Sequence, residues 1–328
     1  MPFSHILAQE TAVGTLTRAL RSGRVHHAYR FEGPDGVGKE LAAFALAQAL
    51  VCEANDPLGC GVCSACKRAV TLSEDDPKVP LHPDVTLIER GLYPPEVIGK
   101  KKEANEVSVD QIRTIVLSRA SYPPHEGKAR VYIFRRAEEL STSAANALLK
   151  ILEEPRQGTH FILLTSRGDR LLNTIRSRTL PIRFAPLPDE VVRNILVSRG
   201  IKGRLDLAIE LAAGSASAAI ELADEERSAS RDDFVSRALA AADARDLGPA
   251  VDLAETAERD KSELHRDLRA LAAALARSAR SSVNDAPEKA ALAARRYEAV
   301  ARAAARLERN AAPMLALVSL ITELRDAR

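Results

Sequence analysis

The sequence contains no tryptophan, and aromatic residues make up only 4% of its 328 residues. Proteins that hold single-stranded nucleic acid commonly stack its bases on aromatic side chains, so this shortage argues against a simple nucleic-acid-binding module. Net positive charge is also scarce, because 47 Lys and Arg residues are balanced by 45 Asp and Glu residues, leaving a formal net charge of +2. A protein that coats DNA by charge alone is therefore excluded.

Long apolar runs are missing as well. No uninterrupted apolar segment approaches membrane-spanning length, and residues 1–6 lack the basic region followed by an apolar stretch that marks a secretory signal. We therefore expect a cytoplasmic protein with no membrane partner. The content of 46% hydrophobic and 28% charged residues is typical of folded globular domains, and the length predicts two or three of them.

Cysteine occurs at four positions only: Cys52, Cys60, Cys63 and Cys66. Residues this close together cannot staple distant parts of a secreted fold, whereas Cys-x₂-Cys spacing suits the tetrahedral four-sulfur shell of structural Zn²⁺. Buried free thiols are one alternative, and a redox dithiol is another, although four clustered thiols exceed what a redox pair needs. We predict a closed structural Zn²⁺ site with no coordination position left for catalysis.

The segment Gly33-Pro-Asp-Gly-Val-Gly-Lys-Glu40 matches the phosphate-binding pattern G-x-x-x-x-G-K-[ST] through Lys39. In this pattern the backbone N–H groups surround phosphates, the lysine reaches the terminal phosphates and the final hydroxyl holds Mg²⁺. The candidate nucleotide-binding residues are therefore Gly33, Gly36, Gly38 and Lys39. Glu40 puts a carboxylate in place of the hydroxyl, so we expect weak or no ATP binding and no Mg²⁺; Lys39 is alternatively a solvated lysine on a relic loop.

A hydrolytic site of this kind also needs a strand that ends in acidic residues. The best candidate strand, Val131 to Phe134, is followed by Arg135 and Arg136. Arginine is always protonated and carries only hydrogen-bond donors, so it neither binds a metal ion nor acts as a base. Two requirements for hydrolysis fail together, which indicates a nucleotide fold without turnover. Glu40 and Arg135 are predicted to pair in the place of the metal.

Strand and helix patterns alternate over residues 1–184, which predicts a parallel sheet covered by helices. The predicted strands are Ala28–Phe31, Val85–Ile88, Val131–Phe134, Phe161–Leu164 and Leu180–Phe184. After Pro186-Leu-Pro188 only helical patterns remain, and we divide them into units at 185–224 and 225–328. Two apolar stripes in the last unit are predicted as intramolecular core, with subunit contact as the alternative: Leu264, Leu268, Leu271 and Leu275, and Tyr297, Val300, Ala304 and Leu307.

Four segments resemble bacterial clamp-loader subunits of the AAA+ class: His26-His-Ala28 running into the Gly33 loop, the cysteine cluster, Ala145-Asn-Ala-Leu-Leu-Lys-Ile-Leu-Glu-Glu-Pro155, and Ser177-Arg178-Thr179. The resemblance implies an α/β AAA+ domain with a RecA-like phosphate-loop sheet and an inserted zinc module at 1–184. It further implies a small helical lid domain at 185–224 and an all-α collar for oligomerisation at 225–328.

Motor subunits of this family carry Ser or Thr after the loop lysine and Asp-Glu where this chain has Arg135 and Arg136. They also tend to carry an arginine after a Gly-Ser pair, whereas Gly214-Ser-Ala-Ser217 offers only serine. These departures imply the non-catalytic stator role of the delta-prime subunit of the DNA polymerase III clamp loader. The alternatives are an ATP-hydrolysing motor of the gamma/tau kind and a zinc-stapled nucleic-acid-binding module.

Ser177-Arg178-Thr179 stands where the family has Ser-Arg-Cys, and the resemblance implies that Arg178, with Ser177, acts in trans on ATP held by a neighbouring subunit. A planar, permanently charged guanidinium suits that role because it stabilises charge on a transferring phosphoryl group. From the residues alone, a surface arginine is the alternative.

The partners implied by the resemblance are motor gamma/tau and delta subunits in a heteropentamer, and the sliding clamp and primed DNA through that complex. Lys100 to Lys102 are predicted to form a solvated loop, with DNA contact as the alternative. His5, His26 and His27 have no metal-ligand or catalytic spacing.

Overall fold

The three-dimensional structure is a computed structural model that describes residues 3–99, 106–126, 128–202, 205–223, 225–244, 246, 248–256, 261–308 and 311–327. The chain separates into two compact units: the first unit contains residues 1–199 and 212–218, and the second unit contains residues 200–211 and 219–328. The three-domain division with breaks after 184 and 224 stays a prediction. Lys100 to Lys102 lie outside the described residues.

The first unit is built on a five-stranded parallel sheet with the strand order β2-β3-β4-β1-β5. The strands are β1 Ala28–Glu32, β2 Val85–Ile88, β3 Arg130–Phe134, β4 Thr159–Thr165 and β5 Leu180–Arg183. Each lies within two residues of a predicted strand. Every residue of β2 and β3 is buried, as expected where helices cover both faces of a parallel sheet. The predicted α/β fold with a parallel phosphate-loop sheet is confirmed.

Helices connect and cover the strands of the first unit. They are α1 Glu10–Arg21, α2 Lys39–Leu50, α3 Ser64–Val70, α4 Val109–Gln111, α5 Ser118–Ala120, α6 Thr142–Glu153, α7 Asn173–Arg176 and α8 Asp189–Ser198, with a π-helix at Ile112–Leu117 between α4 and α5. Ser141 is the N-cap of α6, since its Oγ accepts a 3.1 Å hydrogen bond from the Ala144 N–H. Such a cap satisfies a donor that the first helical turn leaves unpaired.

The sheet register decides which residues meet at the carboxyl edge. Glu32, at the end of β1, pairs with Thr165 of β4 and Arg183 of β5. Ile88 at the end of β2 lies opposite Phe134 at the end of β3, which brings the next residues, Glu89 and Arg135, side by side. Ligand sites of open α/β sheets form at this edge.

From Asp189 onward the described residues form helices and connecting segments and contain no strand. The remaining helices are α9 Leu205–Ala212, α10 Ala216–Ala223, α11 Glu225–Asp243, α12 Gly248–Thr256, α13 Lys261–Ser282, α14 Pro287–Glu308 and α15 Pro313–Asp326. In the part of the chain that is described, no helix is long and apolar enough to cross a membrane.

The two predicted apolar stripes lie in α13 and α14 of the second unit. Leu264, Leu268, Leu271 and Leu275 are all buried in one cluster with Val300 and Leu307, so the prediction of an intramolecular core is confirmed for them. Tyr297 is 43% exposed, and its assignment to that core was wrong. The helical period alone did not show that this side chain stays partly exposed.

Candidate functional site

The phosphate loop connects β1 to α2 at the carboxyl edge of the sheet, as the motif predicts. Gly36 has a φ of +72°, and a Cβ atom built there would lie 2.4 Å from the Ser217 backbone nitrogen. A Cβ at Gly33 would lie 2.3 Å from the Phe184 carbonyl oxygen. Only glycine satisfies both the conformation and the close packing at Gly36, so the loop is held between the residue after β5 and the start of α10.

Lys39 is bound inside its own loop. Its Nζ donates to the Gly33 and Pro34 carbonyl oxygens at 2.5 Å each and lies 3.6 Å from Asp35 Oδ1. The residue is only 7% exposed, so the solvated lysine of the alternative interpretation is wrong. Burial lowers the pKa of Lys39, against the opposing effect of the Asp35 and Glu138 carboxylates. The ammonium group is therefore paired with carbonyls in the position from which such a lysine would reach a phosphate.

The predicted pair between Glu40 and Arg135 is present. Arg135 Nη2 donates to Glu40 Oε1, and Arg135 Nη1 donates to Glu89 Oε2 at 2.9 Å. Burial opposes the charge of Arg135, but the hydrogen bonds to both carboxylates raise its pKa above the ordinary value. One guanidinium thus joins two carboxylates where a hydrolytic site of this class would hold Mg²⁺. Glu89 was not identified from the sequence, although its position directly after the predicted strand Val85–Ile88 could have indicated a residue at this edge of the sheet.

Arg178 lies just beyond α7, the short helix that also contains Ile175. Strand β4 ends at Thr165, and α7 lies in the segment that connects it to Arg178. The Arg178 Nε donates to Glu153 Oε1 at 2.7 Å, and its Nη1 donates to the Thr174 carbonyl at 3.0 Å and to Ser177 Oγ at 3.2 Å. The guanidinium is held at the surface, with 30% of its side chain exposed.

A surface cavity of about 340 Å³ opens beside Arg178. It is lined by His26, His27, Leu152, Glu153, Ser177, Arg178, Thr179 and Leu180. The rings of His26 and His27 stack with centroids 4.3 Å apart, and burial, followed by the nearby His26, lowers the pKa of His27. No spacing pattern in the sequence connects these histidines with Arg178, because the pairing of β1 with β5 brings together segments that are far apart in the chain.

Arg30 fixes the turn that carries Arg178. Its Nη1 donates to Thr179 Oγ1 at 2.7 Å and to the Arg176 carbonyl at 3.0 Å, while its Nε donates to Glu32 Oε1 at 2.6 Å. The Arg30 side chain is only 6% exposed. A buried guanidinium in the middle of β1 therefore ties the end of that strand to the turn after α7, and this residue too escaped the sequence interpretation.

The four cysteines meet in one place, with their sulfur atoms all within 4.8 Å of one another. Cys60 Sγ and Cys66 Sγ are 3.9 Å apart, close to the roughly 3.8 Å expected between sulfurs of a tetrahedral site with Zn–S bonds of about 2.3 Å. Backbone N–H groups of Cys60, Cys63 and Cys66 point at the sulfurs of Cys52, Cys60 and Cys63 at 3.4 Å each. This donor set fits a metal ion such as zinc.

Cys63 is the N-cap of α3, and the contacts of its sulfur favour the thiolate. Burial opposes ionisation of Cys63, but hydrogen bonds from the backbone of Cys66 and Glu53 lower its pKa to about 6. Burial raises the pKa of Cys66 instead. Metal ligation requires deprotonated sulfur, so the Cys63 position is prepared for a cation by the fold itself.

Residues 8–188 match the model of a protein family described as DNA polymerase III, delta subunit. The match covers more than half of the 328 residues. The chain belongs to this family. The resemblance to clamp-loader subunits that the motifs indicated is thereby confirmed, and the matched region contains the phosphate loop, the cysteine cluster and Arg178.

Relatives from this polymerase system include subunits named gamma/tau and delta'. DNA polymerase III subunit gamma/tau of Mycobacterium tuberculosis (strain ATCC 25618 / H37Rv) is 37% identical over 196 residues, which are 59% of this chain and 30% of the relative. DNA polymerase III subunit delta' of Bacillus subtilis (strain 168) is 28% identical over 214 residues, 65% of this chain and 59% of the relative. The chain thus spans less than a third of the gamma/tau relatives.

Among solved structures, a DNA polymerase III gamma subunit-related protein from Thermotoga maritima is similar at a TM-score of 0.48 and 17% identity. The alignment covers 96% of this chain and 99% of that chain. Membership of the DNA polymerase III delta subunit family rests on the match of residues 8–188 to the family model.

Proposed function

We propose that this chain is a non-catalytic, delta-prime-like subunit of a DNA polymerase III clamp loader. In this role it does not hydrolyse ATP and presents Arg178 to ATP held by a neighbouring motor subunit. The observation that carries the proposal is the Glu40, Arg135 and Glu89 cluster at the carboxyl edge of the sheet.

The cluster supports the absence of turnover on electrostatic grounds. Mg²⁺ needs oxygen ligands in near-octahedral geometry, yet the two carboxylates at this edge already neutralise a guanidinium that lies between them. Binding Mg²⁺ would require Arg135, which is always charged, to leave both partners. A triphosphate would in addition meet the carboxylate of Glu40, and like charges repel.

Lys39 supports the same conclusion. Its ammonium group is satisfied by the Gly33 and Pro34 carbonyl oxygens, so a phosphate would have to displace both contacts. Gly36 of the loop packs against the backbone of Ser217. Ser217 belongs to the segment 214–217, in which motor subunits of the family tend to carry an arginine after the Gly-Ser pair. The loop therefore keeps its glycines for packing.

Arg178 supplies the part of the function that acts on another chain. It lies at the surface beside a cavity rather than at the chain's own phosphate loop, so its target is a phosphate brought by a second protein. In the family such a neighbour is a gamma/tau motor subunit. We extend the proposal to a heteropentamer that also contains the delta subunit, and to sliding-clamp loading on primed DNA through that complex during DNA replication.

Zn²⁺ is the proposed occupant of the four-cysteine cluster. Four sulfur ligands favour zinc and complete its tetrahedral shell, so the ion supplies folding energy to the segment between α2 and α3 and no catalysis. Cys52, Cys60, Cys63 and Cys66 would hold it.

A motor of the gamma/tau kind is the second candidate, because the gamma/tau relative is 37% identical where the delta' relative is 28% identical. Overall sequence identity does not show whether the few residues needed for ATP hydrolysis are present. The motor role would require Glu40 and Arg135 to exchange their partners for metal and phosphate.

Mg²⁺-dependent ATP binding and hydrolysis by the purified full chain separates the two candidates. We expect no phosphate release above background and no difference between the unmodified chain and Lys39→Ala. Turnover that needs Mg²⁺ and is abolished in Lys39→Ala would establish the motor role instead.

The trans role is measured in a loader reconstituted with gamma/tau and delta subunits. There Arg178→Ala should reduce hydrolysis at the site it serves by roughly 10³-fold or more, as for other arginine fingers. The exposed neighbour Arg176 provides the matched control: a loader that contains the Arg176→Ala variant should hydrolyse ATP at the same rate as the unmodified loader. Equal rates for both variants would contradict the trans role.

A further inference from the structure

Arg178 does not point freely toward solvent, because Glu153 of the same chain binds it. The Arg178 Nε donates to Glu153 Oε1 at 2.7 Å, and Nη2 donates to the same oxygen. The third guanidinium nitrogen donates to the Thr174 carbonyl and to Ser177 Oγ. All three nitrogens are therefore engaged within the chain.

The position of Glu153 is unfavourable for a carboxylate on local grounds. It is the last residue of α6 and is followed by Glu154, so two negative side chains stand at the end of a helix that carries partial negative charge. Cations stabilise this end of a helix, and anions destabilise it. The contact with Arg178 offsets that cost for Glu153.

The ion pair is also accessible. The Glu153 side chain is 48% exposed and that of Arg178 is 30% exposed, and both line the cavity of about 340 Å³. An incoming anionic group can thus approach the guanidinium next to the carboxylate. Carboxylate and phosphate oxygens bind a guanidinium in the same forked geometry, so one can replace the other without moving the arginine far.

We propose that Glu153 is a positioning residue that occupies, within the chain, the place of the phosphate that Arg178 contacts on the neighbouring subunit. This inference rests on the proposed trans role of Arg178. Glu153 holds the guanidinium until the terminal phosphate of a nucleoside triphosphate, which carries more negative charge than one carboxylate, displaces it. The remaining contacts with Thr174 and Ser177 keep the arginine in place during the exchange.

Because Glu153 must first be displaced, its contact with Arg178 slows the engagement of the arginine with the phosphate of the neighbouring subunit. Exposed ion pairs are weak, so removing the competing carboxylate should raise the rate of ATP hydrolysis of the reconstituted loader, without clamp or DNA, by about 1.5-fold to 5-fold.

The experiment compares Glu153→Gln with Glu154→Gln in the reconstituted loader. Both variants remove one carboxylate from adjacent positions at the end of α6, but only Glu153 contacts Arg178. We expect faster basal hydrolysis for Glu153→Gln and an unmodified rate for Glu154→Gln. The double variant Glu153→Gln/Arg178→Ala should be as slow as Arg178→Ala alone, because an effect that acts through the arginine disappears without it.

Each outcome decides the inference. An unchanged or lower rate for Glu153→Gln, or an increase that persists in the Arg178→Ala background, would overturn the role of Glu153 while leaving the trans role intact. If Arg178→Ala itself does not slow hydrolysis, the proposed function fails and this inference fails with it. Thermal unfolding of each full-length variant identifies any rate change that arises from misfolding.

Discussion

Arg30 connects two parts of the first unit that are far apart in the sequence. Its guanidinium contacts Glu32 just before the phosphate loop, and Thr179 and the Arg176 carbonyl beside Arg178. A buried charged side chain is costly unless it is paired and hydrogen-bonded. The contacts of Arg30 therefore define the orientation from which Arg178 reaches the surface.

Replacing Arg30 with Ala should lower the free energy of unfolding by about 2–4 kcal/mol, because Glu32 and Thr179 lose a buried charged partner. The backbone amides of Ser177 and Arg178 should exchange with solvent faster than in the unmodified chain. Chemical denaturation and hydrogen exchange of the full chain measure the two effects. The exposed residue Arg24 supplies the control, and Arg24→Ala should change stability by no more than about 0.5 kcal/mol. Matching stabilities for both variants would refute this structural role.

The segment between α2 and α3 illustrates how a short element depends on its ligands. Three of the four clustered cysteines lie in it, and Cys66 follows in the first turn of α3. Val62 within the segment is 72% exposed. Little apolar surface is available to hold such a loop, so bonds to a metal are expected to supply its stability.

Cys63→Ser should reduce the zinc content of the purified full chain well below one ion per chain and lower its melting temperature. The reason is that one of four ligands is lost from a closed tetrahedral site. Metal analysis and thermal unfolding provide the measurements. Val62→Ala, in the same loop, should keep both the metal and the melting temperature. Purification of the unmodified chain without bound metal would show that the cluster does not hold zinc.

In the part of the molecule that the structure describes, burial lowers the pKa of three histidines. His82 is 1% exposed, and its Nδ1 accepts the Asp84 N–H at 3.1 Å; within the described residues its Nε2 has no hydrogen-bond partner. Burial, followed by the positive charge of Arg68, lowers the pKa of His82. Burial also lowers the pKa of His27 and of His160.

Stability should consequently fall when the pH drops below about 6.5, the ordinary pKa of histidine. In that range the unfolded chain binds protons that the folded chain excludes, so the stabilisation is present above 6.5 and is lost toward the lower folded pKa values. Melting temperatures between about pH 8 and pH 5.5 measure the effect. His82→Gln should reduce the loss, whereas His125→Gln, at an exposed position, should not. A melting temperature that is constant over this range would contradict the prediction.

Sequence patterns located the strands of the first unit because their signals are local. The five strands are short apolar or β-branched runs, and α6 has a serine cap and a following proline. Helix α7, in the segment before Arg178, was not predicted because it has only four residues, too few for a helical period to be visible. Tyr297 was misplaced because a stripe of apolar residues does not show how wide the buried face is.

The sequence by itself determined the phosphate loop, the replacement of its metal ligands, the cysteine cluster and the family, since each is written in residues a few positions apart. It also allowed the Glu40 and Arg135 pair to be inferred from the expected geometry of the motif. Only the tertiary structure decided that Glu89 completes this pair, that Arg30 holds the turn of Arg178, and that Glu153 binds Arg178. These contacts join residues from separate strands and helices. Glu89 and Arg135 meet at the carboxyl edge of the parallel sheet, whereas Glu153 and Arg178 meet where β4 and β5 begin.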